Sequence, residues 1–103
     1  MREESKKLSS VDHVAICVKS VPESVAWYTT KFDCEVIYSD ESWAFIQFGN
    51  IKLALVSSEQ HPAHLAFEVK DASEYGNVSE HRDGSKSVYI HDPSGNAVEY
   101  IEY

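Results

Sequence analysis

Alternating runs of apolar and polar residues recur along the chain, and each of them predicts a β-strand. In the first run, Val11–Lys19, the side chains of Val14, Ile16 and Val18 share one face, and His13 lies on the other. Side chains on a strand point to opposite faces in turn. The run therefore predicts a strand with one apolar face for packing and one face that can carry a polar functional group.

Six further runs predict strands, and turn residues separate several of them. Gly49 and Asn50 lie between two alternating runs and are typical of a hairpin. The run Asp92–Gly95 predicts a tight turn, because proline presets φ at one position and glycine accepts positive φ at another. The predicted strands are Cys34–Ser39, Trp43–Phe48, Ile51–Val56, Ala63–Val69, Ser87–His91 and Ala97–Tyr103.

Two segments predict helices. In Glu23–Phe32 apolar residues recur at helical spacing, Pro22 suits the first turn and Ser20 is a candidate N-cap. A second, shorter helix is predicted to start at Asp71. The order strand, helix, strands thus occurs twice, with a repeat of roughly fifty residues and one strand of the second half shortened or lost. We therefore predict one α+β domain with modules at about residues 11–57 and 63–103, preceded by a flexible tail at residues 1–10.

Three polar residues stand at corresponding places in these runs and are candidate metal ligands. His13 lies in the first strand, His64 opens a similar strand in the second half, and Glu99 lies in the last strand. Two imidazoles and a carboxylate can hold a divalent metal and leave positions open for substrate. Each residue also has an ordinary interpretation, since either histidine could be a core residue and the glutamate could point to solvent.

Other polar residues near these strands are candidates for proton transfer. Glu68 shares a face with His64 and is either a proton carrier in the cleft or a strand-end charge. His91 shares a face with Tyr89 and is a candidate acid or base, which requires hydrogen-bond reach of the reacting group. The predicted catalytic residues are therefore Glu99, Glu68 and His91.

Two more histidines and two aromatic residues have less certain places. We interpret His61 as a loop histidine and His81 as facing solvent. Trp43 and Phe45 share one face of their strand. That face either belongs to the ordinary core or lines a pocket, and in the second case the site would favour flat or apolar ligands.

Composition argues against several kinds of binding partner and cellular location. The 103 residues carry a net charge of −8, which argues against nucleic acid and anionic membrane surfaces as partners. The N-terminal residues show no signal-peptide pattern, and no apolar run is long enough to span a membrane. The only two cysteines, Cys17 and Cys34, are predicted to be buried free thiols, which fits a cytoplasmic protein.

Four segments together resemble the vicinal oxygen chelate superfamily, which includes glyoxalase I, extradiol dioxygenases, fosfomycin-modifying enzymes and bleomycin-resistance proteins. They are DHVAICV at 12–18, WYTTKF at 27–32, HLAFEV at 64–69 and YIHDPSGNAVEY at 89–100. The resemblance implies two βαβββ modules whose mixed sheet curls around a metal cleft, with the second module abbreviated. It also implies that ligands come from the first and last strands of each module.

Carried over to this chain, the resemblance makes His13, His64 and Glu99 the metal ligands. The fourth place falls in Ile51–Leu55, where the pocket-facing residues are expected to be Lys52 and Ala54, neither a typical ligand there. Glyoxalase I and methylmalonyl-CoA epimerase use four protein ligands. A set of two His and one Glu is instead similar to the extradiol dioxygenases and fosfomycin-modifying enzymes.

The resemblance implies a small metalloenzyme with one divalent ion (Zn, Ni, Fe or Mn) that chelates a small oxygen-bearing substrate. Isomerase, lyase and dioxygenase chemistry all remain open. One alternative is a non-catalytic homodimer that sequesters a ligand, like bleomycin-resistance proteins, and another is a degenerate regulatory module. A homodimer is expected in any of these cases, with each site formed within one chain or shared between two.

Overall fold

In the computed structural model, which describes residues 8–81 and 83–103, eight strands join one mixed sheet. All seven predicted strands are present, and their ends differ from the predicted ends by one residue at most. A single α-helix and one 3₁₀ helix accompany these strands in the described part of the chain. The elements are β1 (Ser10–Val18), α1 (Val21–Lys31), β2 (Glu35–Ser39), β3 (Trp43–Gln47), β4 (Lys52–Ser57), β5 (His64–Glu68), a 3₁₀ helix (Ala72–Tyr75), β6 (Ser79–Glu80), β7 (Lys86–His91) and β8 (Ala97–Glu102).

The sheet places the first strands of the two modules side by side at its centre. The strand order is β2-β3-β4-β1-β5-β8-β7-β6. β1 runs parallel to β4 and antiparallel to β5, while β5 runs parallel to β8. The predicted α+β fold of two modules around a curled sheet is confirmed. The candidate ligands and the residues around them lie on four neighbouring strands of this sheet. Their side chains therefore converge on one face.

The helix α1 covers the outer face of the first module. Ser20 caps it, since its hydroxyl accepts a hydrogen bond of 3.3 Å from the backbone N–H of Glu23. The helix ends where the N–H of Phe32 donates to the carbonyl of Tyr28 at 3.0 Å. The helix and the strands beneath it form the larger core cluster, which consists of Val21, Ala44, Ile46 and Leu55 with Ile16, Val18, Val25 and Tyr28 packed around it.

The second module has only a 3₁₀ turn where the first has an α-helix. Asp71 begins this turn as predicted, with its carboxylate accepting a 3.1 Å hydrogen bond from the N–H of Ser73. The predicted short helix is therefore corrected to one 3₁₀ turn, because Gly76, at φ +151°, ends it after four residues. The shortened strand is also present, as the two-residue β6. Tyr75 covers the outer face by stacking on Tyr100, with ring centroids 4.0 Å apart.

Both predicted turns are confirmed. The hairpin between β3 and β4 closes with the N–H of Phe48 donating to the carbonyl of Ile51 at 3.0 Å. The Asp92 carboxylate accepts hydrogen bonds from the N–H groups of Ser94 and Asn96, and Gly95 has φ +88°. The turn at Asp92 joins β7 to β8, whose pairing sets Tyr89 directly opposite Glu99.

The structure describes only part of the predicted N-terminal tail, and it corrects the prediction that both cysteines are buried. Most of the predicted tail lies outside the described residues, which begin at residue 8, and Ser10 already belongs to β1. Both cysteines are free, but only Cys34 is partly buried, because Cys17 lies near the exposed end of β1. In the described part of the chain no helix is long and apolar enough to cross a membrane.

Candidate metal centre

Three buried side chains converge on the inner face of the sheet, as the sequence predicts. His13 on β1, His64 on β5 and Glu99 on β8 are 4%, 8% and 3% exposed. Their ligand-type atoms all lie within 4.8 Å of one another, and they come from a single chain. Burial of two imidazoles and a carboxylate together costs desolvation free energy, and a bound cation offsets this cost.

The triangle formed by the three ligand atoms has the size of a metal site. The Nε2 atoms of His13 and His64 are 3.4 Å apart, and Oε1 of Glu99 lies 3.3 Å and 3.0 Å from them. Ligand atoms about 2.1 Å from one ion, at roughly 90–110° to each other, lie about 3.0–3.4 Å apart. The residues present therefore fit one divalent transition-metal ion.

The remaining nitrogen of each imidazole has a partner that fixes the ring. Nδ1 of His13 lies 2.8 Å from a carboxylate oxygen of Asp12, and Nδ1 of His64 lies 2.8 Å from the carbonyl oxygen of Pro62. Both partners only accept hydrogen bonds, so each imidazole carries its proton on Nδ1 when neutral. The lone pairs on both Nε2 atoms are then available to a metal ion.

The electrostatics of the triad keep the carboxylate ionised. Burial alone would raise the pKa of Glu99, but His13 and His64, which in their protonated form donate from Nε2 and carry positive charge, outweigh it and lower this pKa to about 2. Burial alone would lower the pKa of His13, but its hydrogen bonds to Asp12 and Glu99 raise it. At neutral pH the site thus presents a charged carboxylate, which is the form that binds a cation.

In the first module, alanine stands at the position that corresponds to Glu99 in the second. Two residues after each candidate ligand histidine stands an alanine that pairs with a neighbouring strand. Ala15 pairs with Ala54 on β4, and Ala66 pairs in the same way with Glu99 on β8. Ala54 therefore has the place in the first module that Glu99 has in the second. It lines the cleft as expected, whereas the ammonium of Lys52 turns away to an ion pair with Asp12.

The triad lies in a cleft of about 530 Å³. The wall formed by the first module is largely apolar, with Trp43 and Phe45 facing inwards, which confirms the pocket alternative for these two residues. The ring of Phe45 packs edge-on against His13 at 4.9 Å, and Trp43 stacks on Tyr38 at 4.6 Å. The other first-module residues of this wall are Ile37, Asp40, Ser42, Ala54 and Val56.

The wall formed by the second module is polar. Tyr89 packs edge-on against His64 at 5.3 Å, and burial followed by the charge of Glu99 raises the pKa of its hydroxyl. Nε2 of His81 lies 2.7 Å from the Ser87 hydroxyl and 3.9 Å from Oε2 of Glu99. The other lining residues on this side are Asp83, Ser85, Ile101 and Tyr103.

Two histidines that sequence reasoning set aside line this cleft. His61 lies in the connector, as predicted, but it also faces the cleft, and burial lowers its pKa. The expectation that His81 faces solvent is wrong, because the turn at Asp83 and Gly84 folds it back, with its N–H donating to the Ser85 carbonyl at 2.8 Å. The Asp-Gly turn sequence was the available signal for this return.

Two predicted catalytic residues lie elsewhere. Glu68 and His91 are exposed, and neither is among the residues that line the cleft. Glu68 ends β5, where its side chain reaches solvent, and His91 ends β7 beyond Tyr89. Of the three predicted catalytic residues, Glu99 alone lies at the triad.

Sequence comparison agrees with this geometry. A sequence model of the Glyoxalase/Bleomycin resistance protein/Dioxygenase superfamily matches residues 10–100, which is most of the chain. The chain belongs to this superfamily. No curated protein matches its sequence significantly, so the superfamily is the level of kinship established by sequence.

Solved structures show the same fold at low sequence identity. A hypothetical protein from Bacillus halodurans has a TM-score of 0.74 at 20% identity, with 94% of this chain and 96% of that chain covered. A Streptomyces coelicolor methylmalonyl-CoA epimerase variant, in complex with 2-nitronate-propionyl-CoA, has a TM-score of 0.75 at 18% identity, covering 93% and 98%. A Vibrio splendidus superfamily member has a TM-score of 0.69 at 12% identity, covering 93% and 100%.

Proposed function

We propose that this superfamily member is a small metal-dependent enzyme whose substrate carries two neighbouring oxygen atoms. His13, His64 and Glu99 would hold one divalent ion, which would polarise a substrate oxygen as a Lewis acid. The observation that carries the proposal is the buried triangle of ligand atoms with edges of 3.0, 3.3 and 3.4 Å. Three protein ligands leave coordination positions for both substrate oxygens.

The apolar wall supports a substrate with a flat or apolar body. Trp43 and Phe45 face the cleft beside His13, and Ala54 leaves space where a fourth ligand would otherwise stand. A body packed against these rings would lose water contact, and its oxygens would then point towards Glu99 and the two histidines. The small side chain of Ala54 therefore leaves room for a substrate that enters from the side of the first module.

Proton transfer in this proposal falls to residues outside the ligand set. The lowered pKa of His61 keeps its imidazole neutral at physiological pH, so it can accept a proton. His81 and Tyr89 lie on the opposite wall, and both are near Glu99. Isomerase or lyase chemistry would use one of these groups as base and another as acid, while dioxygenase chemistry would in addition require iron.

Metal analysis tests the proposal directly. Protein purified without chelator, and a second sample reconstituted with Zn, Ni, Fe or Mn, would be analysed for bound metal and for mass in solution. We expect about one ion per chain, and we expect none in a Glu99→Gln variant. Iron would direct substrate screens to aromatic diols with dioxygen, and nickel or zinc would direct them to isomerase and lyase substrates.

A ligand-sequestering homodimer is the second candidate, and the aromatic wall of Tyr38, Trp43 and Phe45 favours it. Stacked rings bind flat ligands without any metal. If the reconstituted protein holds no metal but flat aromatic compounds raise its melting temperature, this candidate replaces the enzyme. A homodimer is proposed in both cases, and a solution mass of one chain would contradict it.

A further inference from the structure

A network of side chains on the far side of His13 connects the two modules. Oδ2 of Asp12 accepts hydrogen bonds from Nδ1 of His13 at 2.8 Å and from the hydroxyl of Tyr103 at 2.5 Å. Its other oxygen, Oδ1, lies 3.0 Å from the ammonium of Lys52. The ammonium also lies 3.2 Å from the Tyr103 hydroxyl. Asp12 is thereby bound by residues from β1, from β4 and from the end of the second module.

Asp12 reaches this place because β1 bulges there. Strand pairing with β5 shifts register between Val11 and His13, so Asp12 is an extra residue without a partner on β5. Neighbouring residues on a regular strand point to opposite faces, and a bulge re-aims one of them. The bulge allows Asp12 to contact the imidazole of the residue next to it in sequence.

The two ligand histidines are held by partners of different rigidity. His64 is held by the backbone carbonyl of Pro62, which the chain itself fixes. His13 is held by a side-chain carboxylate, which has several rotamers and keeps one orientation only if other groups hold it. The side chain of Asp12 is 7% exposed, so water contributes little to holding it. Lys52 and Tyr103 supply the contacts that hold the Asp12 carboxylate in this orientation.

Lys52 itself is held in place by two aromatic rings. Its ammonium lies 5.1 Å from the ring centroid of Phe45 and 4.6 Å from that of Tyr103. Cations at these distances over aromatic faces are attracted by the ring quadrupole. The position of Lys52 on β4, directly opposite His13 in the strand register, aims its side chain along the same face.

We infer that Lys52 and Tyr103 are positioning residues of the metal centre, which act through Asp12 to orient His13 towards the ion. This inference rests on the proposed function, because it assumes that His13, His64 and Glu99 bind a metal. Groups that orient a ligand histidine typically change metal affinity by about 10–100-fold when they are removed. Lys52 and Tyr103 lie one contact further out, so their removal has a smaller effect than removal of Asp12.

The test is a cobalt(II) titration of metal-free protein, followed by visible absorption and by competition with a chromophoric chelator. We expect Asp12→Asn to weaken cobalt binding by about 10–100-fold, and Tyr103→Phe and Lys52→Met to weaken it by about 3–10-fold each. The ligand-field bands of bound cobalt should also shift in these variants, because the angle of the His13 imidazole changes. In zinc-loaded protein, the NMR signal of the His13 Nδ1 proton should shift in the same variants.

Matched controls separate positioning from a general loss of structure. Tyr100→Phe removes a hydroxyl from the outer face of β8, where the ring stacks on Tyr75, and Lys86→Met removes an ammonium from β7. Both controls should bind cobalt like the wild type. If Lys52→Met does not fold, Tyr103→Phe decides the question, since it removes one oxygen atom and keeps the ring.

Failure of the inference and failure of the proposed function give different results. If the wild type binds cobalt, and Tyr103→Phe and Lys52→Met bind it with the same affinity and the same spectrum, the positioning role is overturned while the metal site stands. If the wild type shows no saturable cobalt binding, the proposed function fails, and the positioning role fails with it.

Discussion

The two modules share one topology but contribute differently to the cleft. His13 and His64 occupy corresponding places on β1 and β5, yet alanine stands at residue 54 where the second module has Glu99. The strand beside each of these positions adds an aromatic ring, which is Phe45 in the first module and Tyr89 in the second. One module thus provides an apolar wall and the other a polar one. The difference lies in side chains, since the strand pairing is the same.

The outer faces of the two modules also differ, and here the first module is the more extensively packed one. The first module has the α-helix and the larger core, while the second has one 3₁₀ turn and the stack of Tyr75 on Tyr100. The module with the firmer packing therefore carries fewer polar groups in the cleft. An internal repeat can thus keep its strand pairing while one half contributes more to stability and the other more to the polar groups of the cleft.

The largest effect on metal affinity should come from removing the carboxylate of Glu99, whose counterpart in the first module is Ala54. Glu99→Gln leaves the size of the side chain unchanged but removes the charge, so metal affinity should fall by more than about 100-fold. Isothermal titration of metal-free protein with zinc would measure this. Glu68→Gln is the matched control, because Glu68 is exposed and outside the cleft. Equal loss in both variants would contradict a specific role for Glu99.

The different supports of the two histidines predict a pH effect on stability in the metal-free protein. Burial would raise the pKa of Asp12, but hydrogen bonds from His13, Tyr103 and Lys52 outweigh it and lower this pKa to about 2 from an ordinary value of 3.8. A lowered folded-state pKa contributes stability above about pH 4, and this contribution is lost as pH falls towards 2. The shift corresponds to about 2 kcal/mol.

Urea denaturation of the wild type and of Asp12→Asn at pH 7, 4 and 3 would measure this contribution. The stability difference between them should shrink as pH falls, since the wild type loses what the variant already lacks. The carbonyl of Pro62, which supports His64, does not titrate, so no corresponding effect is expected from that side. A difference that stays constant from pH 7 to pH 3 would contradict the prediction.

A third change would make the two modules alike. Ala54→Glu places a carboxylate on the cleft lining where the internal repeat puts the counterpart of Glu99, and Trp43 and Phe45 must shift to admit it because Ala54 is only 4% exposed. A fourth ligand should raise zinc affinity by about tenfold and block the position proposed for substrate. Ala54→Gln is the control of equal size without the charge. Unchanged affinity in Ala54→Glu would show that the repeat is not symmetric at this place.

Most of the fold could be predicted from sequence, because the period-two pattern is local. The cluster of His13, His64 and Glu99 could be predicted because each residue stands at a regular place on a predicted strand. The position of His81 could not be predicted fully, because the Asp83-Gly84 turn explains only its local return, whereas its approach to Glu99 depends on the pairing of β7 with β8. The bulge at Asp12 was equally hidden, because it depends on pairing with another strand.

The smallest effect concerns the thin outer face of the second module. Tyr75→Ala removes the stack on Tyr100, and it should cost about 1 kcal/mol of unfolding free energy because the side chain is 43% exposed. Leu55→Ala in the first module should cost about 2–5 kcal/mol, since Leu55 is fully buried beneath α1. Urea denaturation at pH 7 would measure both. Equal costs would mean that the single 3₁₀ turn stabilises its module as firmly as α1 stabilises the other.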